Sequence, residues 1–387
     1  MVHMDWLTMG FGLTSPYLTR NSILYWNHDA GVYAGNRNKG CLANVACKTR
    51  EGRRRTPMLS KLFPWFVSNL TGLRKSQRKT LAALVIGVIQ SPSAGIAAIG
   101  RHMLGSSLPK SRINRANRFL SNPRIDINAA CAHLLLWLAA KRQEVFLSLD
   151  WTDLNNGLHQ TLMLSVNARG RAIPILWRTV WKNDLRHHQN HVEEDLLRTL
   201  RRIAPPDLKI VIVADRGFAR VAQFLLGNEL GFHFIIRVRR YGGGRGRCGD
   251  GVGYSFRARK GTRHDFGRAD FRDRDPYRVR LVLIYDRGQR EPWLLATDLQ
   301  GAQDRIVAGY AHRMEIEESL KDIKNRRHGW KLRGVDISTP ERCDRMFLII
   351  LWRVGELVFK HYRPSLRALQ KSTSRLYLVC GRPDSNN

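Results

Sequence analysis

The sequence predicts an α/β chain, with a mixed central sheet flanked by helices, a β-rich insertion and a small helical domain in front. Three observations predict it. Apolar residues recur at helical spacing from about 58 to 141. Over 142–240, short apolar runs of strand length alternate with helical stretches. Strand-like alternation returns within 241–300, ahead of two further helical patterns.

The elements follow in chain order. Residues 1–57 show neither helical nor strand periodicity, which predicts a disordered or non-native extension with Met58 near the natural start. From 58 to 141 the pattern is a helical DNA-binding domain. Ser76 is placed to cap the run "QRKTLAALVIGVI", and "SRINRANRFL" sets Arg112, Arg115 and Arg118 beside an apolar stripe as DNA contacts. Residues 142–240 read strand, strand, strand, helix, strand, helix, strand. "VFLSLD" is the first strand and ends on Asp150. "TLMLSVNARGRAIPILWRTV" is a hairpin turning at 167–170. "NHVEEDLLRTLRRI" is a helix with a capping box from Asn190 to Glu193, and "LKIVIVAD" is a buried-type strand ending on Asp215. The glycine-rich stretch "YGGGRGRCGDGVG" opens the insertion as a flexible loop, since no strand-loop-helix frame makes it a phosphate cradle. Residues 301–362 hold one helix from about 302 to 326 and a last apolar helix from 345, and 363–387 read as a loose tail.

Composition narrows the function. Among 387 residues, 65 Lys and Arg stand against 32 Asp and Glu, a formal charge of +33. The basic residues are spread along the whole chain, so a polyanion is the expected partner and a nucleic-acid track fits better than a localisation signal. The six cysteines form no disulfide framework or zinc spacing, and His187 with His191 is a poor metal pair because a helix starts between them. No apolar stretch is long and uncharged enough to span a membrane, and there is no basic-then-apolar signal peptide. A cytoplasmic, nucleoid-associated protein is the expectation.

Two acids then stand out. Asp150 and Asp215 each follow an apolar run, where a charge is expensive unless paired or metal-bound. If their strands are neighbours, the two carboxylates sit side by side. A third acid from a covering helix would complete a hard oxygen cage for Mg²⁺ or Mn²⁺, and Glu317 is the candidate. Two such ions about 4 Å apart suit phosphodiester chemistry. In "YAHRMEIEESLKDIK", Tyr310, Arg313, Glu317 and Lys324 fall within an arc of about 60° on an unbroken helix.

These residues resemble a family. Tyr310-x2-Arg313-x3-Glu317-x6-Lys324 is similar to the signature of one large group of bacterial insertion-sequence transposases of the DDE type. "LSLDWTDL" and "IVIVADRGFAR", with Arg216, resemble the segments around that family's two aspartates, and Trp293 resembles a tryptophan ahead of its signature. The resemblance runs from about 60 to 360. It implies an RNase H-like catalytic fold with a β-strand insertion between the second Asp and the Glu. It implies cut-and-paste transposition at terminal inverted repeats: nicking, hairpin formation and reopening in related members, then attack of the 3′ hydroxyl on target DNA. Asp150, Asp215 and Glu317 would be catalytic and hold two Mg²⁺ or Mn²⁺ ions. Tyr310, Arg313 and Lys324 would hold DNA phosphates, and Trp293 would stack on a flipped base. A homodimer on two paired DNA ends is implied as well. Two alternatives stand beside it: an inactive or domesticated DNA-binding relative, and a different RNase H-like nuclease acting on RNA–DNA hybrids.

Overall fold

The computed structural model describes residues 67–139, 142–154, 157–168, 171–238, 245–247, 253–255, 258–270, 277–324, 332 and 337–361. The proposed extension 1–57 and the tail 363–387 lie outside them, as do residues 169–170 at the hairpin turn. Among the described residues no helix is long and apolar enough to cross a membrane.

After a helical turn at 67–69 come α1 (Lys75–Gln90), α2 (Ile96–His102), α3 (Pro109–Leu120) and α4 (Ile127–Ala139). Helix α1 is apolar all round and buried from Leu81 to Ile89. It begins just before Ser76, which therefore does not cap it; Gln77 Oε1 accepts the Arg74 N–H at 2.9 Å instead. Ala116, Phe119 and Leu120 form the buried stripe of α3.

The sheet follows. Strands β1 (Glu144–Leu154), β2 (His159–Ala168) and β3 (Arg171–Trp181) form an antiparallel meander. Helix α5 (Gln189–Ile203) leads to β4 (Lys209–Ala214), parallel to β1, and α6 (Val221–Glu229) leads to β5 (His233–Val238), parallel to β4. Part of the glycine-rich stretch is ordered as strands: β6 (Arg245–Arg247) pairs with β7 (Gly253–Ser255), so it is not wholly a loop. Strands β8 (Thr262–Asp270), β9 (Arg278–Tyr285) and β10 (Trp293–Thr297) then extend the main sheet beyond β5, giving the order β3-β2-β1-β4-β5-β10-β9-β8. This mixed eight-stranded sheet with helices is consistent with an RNase H-like fold.

The expected single helix from 302 to 326 is two helices, α7 (Gln303–Ala311) and α8 (Met314–Lys324). The break has a local cause. The Asn167 carboxamide donates to the His312 carbonyl, and the Arg313 N–H turns back three residues to Tyr310 O at 2.9 Å. A side chain inserted into the ladder bends a helix. Helix α7 therefore lies over β4 and β5, while α8 crosses β1, β2 and β3. Ile306, Val307 and Tyr310 pack with Val211, Val213 and Ile235 on that face, Phe146 beside them. Gly309 lets α7 approach: a Cβ there would lie 2.7 Å from Phe146 Cε1 and 2.9 Å from Ile235 Cδ1.

The last helix, α9 (Pro340–His361), starts five residues before its expected beginning at 345. Thr339 and Pro340 set the start, with Thr339 Oγ1 accepting the Arg342 N–H at 3.4 Å. Helices α8 and α9 also cover the free edge of β3. Ser319 Oγ accepts the Ala172 N–H at 2.7 Å and Asp344 Oδ1 the Thr179 N–H at 2.9 Å. The capping box expected at Asn190 and Glu193 does not form. His188 stands at the N-cap of α5, and Glu193 is buried and bonded elsewhere.

Candidate active site

Strand register brings the two aspartates together. The β1–β4 ladder ends at Leu149 opposite Ala214, so Asp150 and Asp215 are the next residues on adjacent parallel strands. Phe146 and Val211 two steps down share one face, and alternation puts both acids on that face, beneath the α7–α8 bend. Strand β1 does not end on Asp150, as the sequence suggests. It continues to Leu154, paired only with β2, because β4 stops first. Asp215 heads a short 3₁₀ turn, where its Oδ1 accepts the Gly217 N–H at 2.8 Å.

The bend delivers Arg313 between the acids. Its Nη1 donates to Glu317 Oε1 at 2.7 Å, and its Nη2 lies 3.5 Å from Asp150 Oδ2 and 3.9 Å from Asp215 Oδ2. Arg313 is 8% exposed. One guanidinium thus faces three carboxylates. Burial pushes the Asp150 carboxyl up to about 6; Arg313 pulls it down, Asp215 pushes it up, the Trp151 N–H pulls it down and Glu317 pushes it up. Burial works against the charge of Arg313, yet Asp150, Tyr310 and Glu317 raise its pKa.

The other predicted residues divide into three places. Asp215, Arg216, Trp293, Tyr310, Arg313 and Glu317 line one cleft of about 330 Å³. Trp293 is half-buried at the start of β10 and meets Tyr310 edge-on, ring centroids 4.9 Å apart. Tyr310 is only 2% exposed, so its ring belongs to the core. Lys324 lies away from the cleft, where its Nζ bonds Thr152 Oγ1 at 2.7 Å, two residues beyond Asp150. The four signature residues therefore do not share one helix face. Arg112, Arg115 and Arg118 sit apart on α3. Arg112 donates to the carbonyls of Gly105 and Arg101, Arg115 donates to Thr80 Oγ1, and Arg118 is exposed.

Sequence reasoning missed Arg237. Ala214 pairs with Ile236, so Arg237 stands beside Asp215 as Asp215 stands beside Asp150. It reaches into the cleft beside Tyr310, donates to the Pro292 carbonyl at 3.4 Å, and pairs with Glu291 Oε1 at 2.8 Å. Its only signal is strand register, which a lone arginine in "FHFIIRV" does not reveal. Glu193 was taken for a cap, although a carboxylate one turn into a helix can equally face the core.

Among the described residues no three His, Cys, Asp or Glu side chains are grouped closely enough to hold a metal ion. The donors nevertheless fit a hard divalent ion chemically: three carboxylates converge on one positive charge, here supplied by the Arg313 guanidinium.

No curated protein matches the chain in sequence. Among solved structures, a crystal structure of Aa-Ago with externally bound siRNA is similar at 12% identity. The likeness covers 64% of this chain and 37% of that one, with a TM-score of 0.23, too low to carry an argument. Residues 183–339, which include Asp215, Arg237, Arg313 and Glu317 but not Asp150, match a family described as the transposase DDE domain.

Proposed function

We propose that the chain is an insertion-sequence transposase that cuts DNA at terminal inverted repeats and joins the freed ends to target DNA. One observation carries the proposal: three carboxylates from β1, the end of β4 and α8 converge on the single Arg313 guanidinium. A structural ion pair needs one acid per guanidinium, whereas surplus carboxylates suit a site that takes up divalent cations.

Asp150, Asp215 and Glu317 would hold Mg²⁺ or Mn²⁺. When bound, such ions activate water and stabilise the leaving 3′ oxygen of a phosphodiester. The chain's own groups do the rest. Once the acids have another counter-charge, Arg313 can turn its planar fork to non-bridging phosphate oxygens. Arg237, in register beside Asp215, and Arg216 on the exposed rim orient the backbone for in-line displacement. Trp293 offers a half-buried ring against which an unstacked base can rest. Lys324 holds the far end of the site next to Thr152. Hairpin formation, target joining and a dimer on two paired ends follow from the same reading.

The test is cleavage of linear DNA carrying the inverted repeats that flank the reading frame, by the full chain with Mg²⁺ or with EDTA. Nicking at the repeat boundary with Mg²⁺ alone is expected. Asp150→Ala, Asp215→Ala and Glu317→Ala should each abolish it and keep end binding. Wild-type rates in Glu317→Ala would sink the assignment. Binding with no cleavage by the wild-type chain would favour the inactive relative.

A further inference from the structure

Glu193 is 1% exposed and takes no part in the cleft. Three side chains donate to it: Trp151 Nε1 and Gln189 Nε2 to Oε1, each at 2.9 Å, and Arg220 Nη2 to Oε2 at 2.5 Å. Two of those donors adjoin the acids. Trp151 follows Asp150, and its backbone N–H donates to Asp150 Oδ1 at 2.9 Å while its ring lies on the opposite sheet face. Arg220 closes the turn that Asp215 opens. There the Phe218 N–H donates to Asp215 O at 3.2 Å, and the Arg220 N–H donates to Phe218 O at 3.0 Å.

The strands need such a tie. The β1–β4 ladder stops at Leu149 and Ala214, one residue short of the acids. Beyond it no strand hydrogen bond joins the two backbones, and two adjacent carboxylates repel each other. Resting on the transposase reading, we propose that Glu193 is a positioning residue. From behind the sheet it ties the residue after Asp150 to the turn after Asp215, and so sets the separation of the two carboxylates.

The experiment is Glu193→Gln in the full chain. The substitution keeps the shape and one acceptor oxygen but presents an amide N–H₂ to a partner that only donates. Three readouts are needed: Mn²⁺ affinity from the electron spin resonance of free ion, single-turnover cleavage of inverted-repeat DNA at saturating Mn²⁺, and Tm. Mn²⁺ affinity and the cleavage rate should each fall about tenfold or more, with end binding held within about twofold. Glu229→Gln, which removes an exposed ion pair with Arg198, should change neither. A lower Tm with Mn²⁺ affinity and cleavage at wild-type values would overturn the inference, because a purely structural role predicts that result. If Glu193→Gln does not fold, Trp151→Phe, which removes the indole N–H donor but keeps an aromatic ring, decides on the same readouts. A wild-type chain that neither binds Mn²⁺ nor cleaves would overturn the transposase reading, and the inference with it.

Discussion

Buried charge is handled in opposite ways in two regions of this molecule. In the cleft, charge faces charge: Arg313 stands among Asp150, Asp215 and Glu317, and Arg237 pairs with Glu291. Within the N-terminal helices and where they meet α9 and β3 (together, the seam), charge faces backbone and neutral groups. Arg345 Nη1 donates to Leu120 O at 2.9 Å, Arg342 Nη2 to Asn117 Oδ1 at 3.2 Å, and Arg115 to Thr80 Oγ1, while Asp344 accepts from the Thr179 N–H. Seam contacts have fixed partners and hold two elements together. Cleft charges chiefly cancel one another, with single backbone bonds to Asp150 and Asp215 besides, so a ligand bearing charge can exchange with them. Both regions are arginine-rich, and only the partners tell scaffold from site.

The largest effect should come from Arg313→Ala. Three carboxylates would lose the guanidinium they share, which costs about 2–3 kcal/mol in metal-free buffer after discounting for the partly exposed partners. Mn²⁺ should then raise the Tm of the variant more than that of the wild type, because the ion no longer displaces a guanidinium. If the variant is as stable as wild type and indifferent to Mn²⁺, the cleft is no different in kind from the seam.

Gly309→Ala attacks the cleft from behind. The added methyl would meet Phe146 and Ile235 well inside contact distance, and Ile235 is wholly buried. Lifting α7 should cost about 2 kcal/mol and displace the bend that carries Arg313. Cleavage should fall further than the loss of folded protein explains. The equivalent change at exposed Gly288, where nothing stands within 4 Å, is the control.

Much of this was legible in the sequence. The strand-and-helix order over 142–240 follows from apolar runs and turn residues, and the two aspartates are visible because a charge straight after such a run is costly unless paired or metal-bound. What was not legible depends on tertiary partners. The α7–α8 break needs the Asn167 side chain, which comes from β2 and leaves no mark on the helix sequence. Arg237 needs the register of two parallel strands. Glu193 has the spacing of a capping residue but faces inward, since Trp151 and Arg220 outcompete the helix end for its carboxylate. The start of α9 was missed despite a local signal, the Thr339-Pro340 pair.

The seam has its own pH signature. Burial pushes the Asp344 carboxyl up to about 7, against the pull of the Thr179 bond. Its folded pKa is thus raised above the unfolded value of about 3.9. The stabilisation from holding that proton is complete below about pH 4 and is lost as pH rises towards 7, at roughly 1 kcal/mol per pH unit. Asp344→Asn keeps an acceptor for the Thr179 N–H and should flatten this part of the Tm profile. An unchanged slope between pH 5 and 7 would mean that Asp344 is ionised where it sits.

The smallest effect is also the sharpest test of the contrast, because it compares two arginines one turn apart on α3. Arg115 is bound to Thr80 through Nε and Nη2, at 3.2 and 3.0 Å, whereas Arg118 is exposed. If α3 meets DNA, Arg118 is the side chain free to reach a phosphate. Arg118→Ala should reduce the slope of log K against log salt by about one and leave Tm unchanged. Arg115→Ala should do the reverse, costing about 1 kcal/mol or less of stability with little change in slope. Equal losses of slope in both variants would show that the Thr80 contact yields to DNA, and that seam arginines are as exchangeable as those of the cleft.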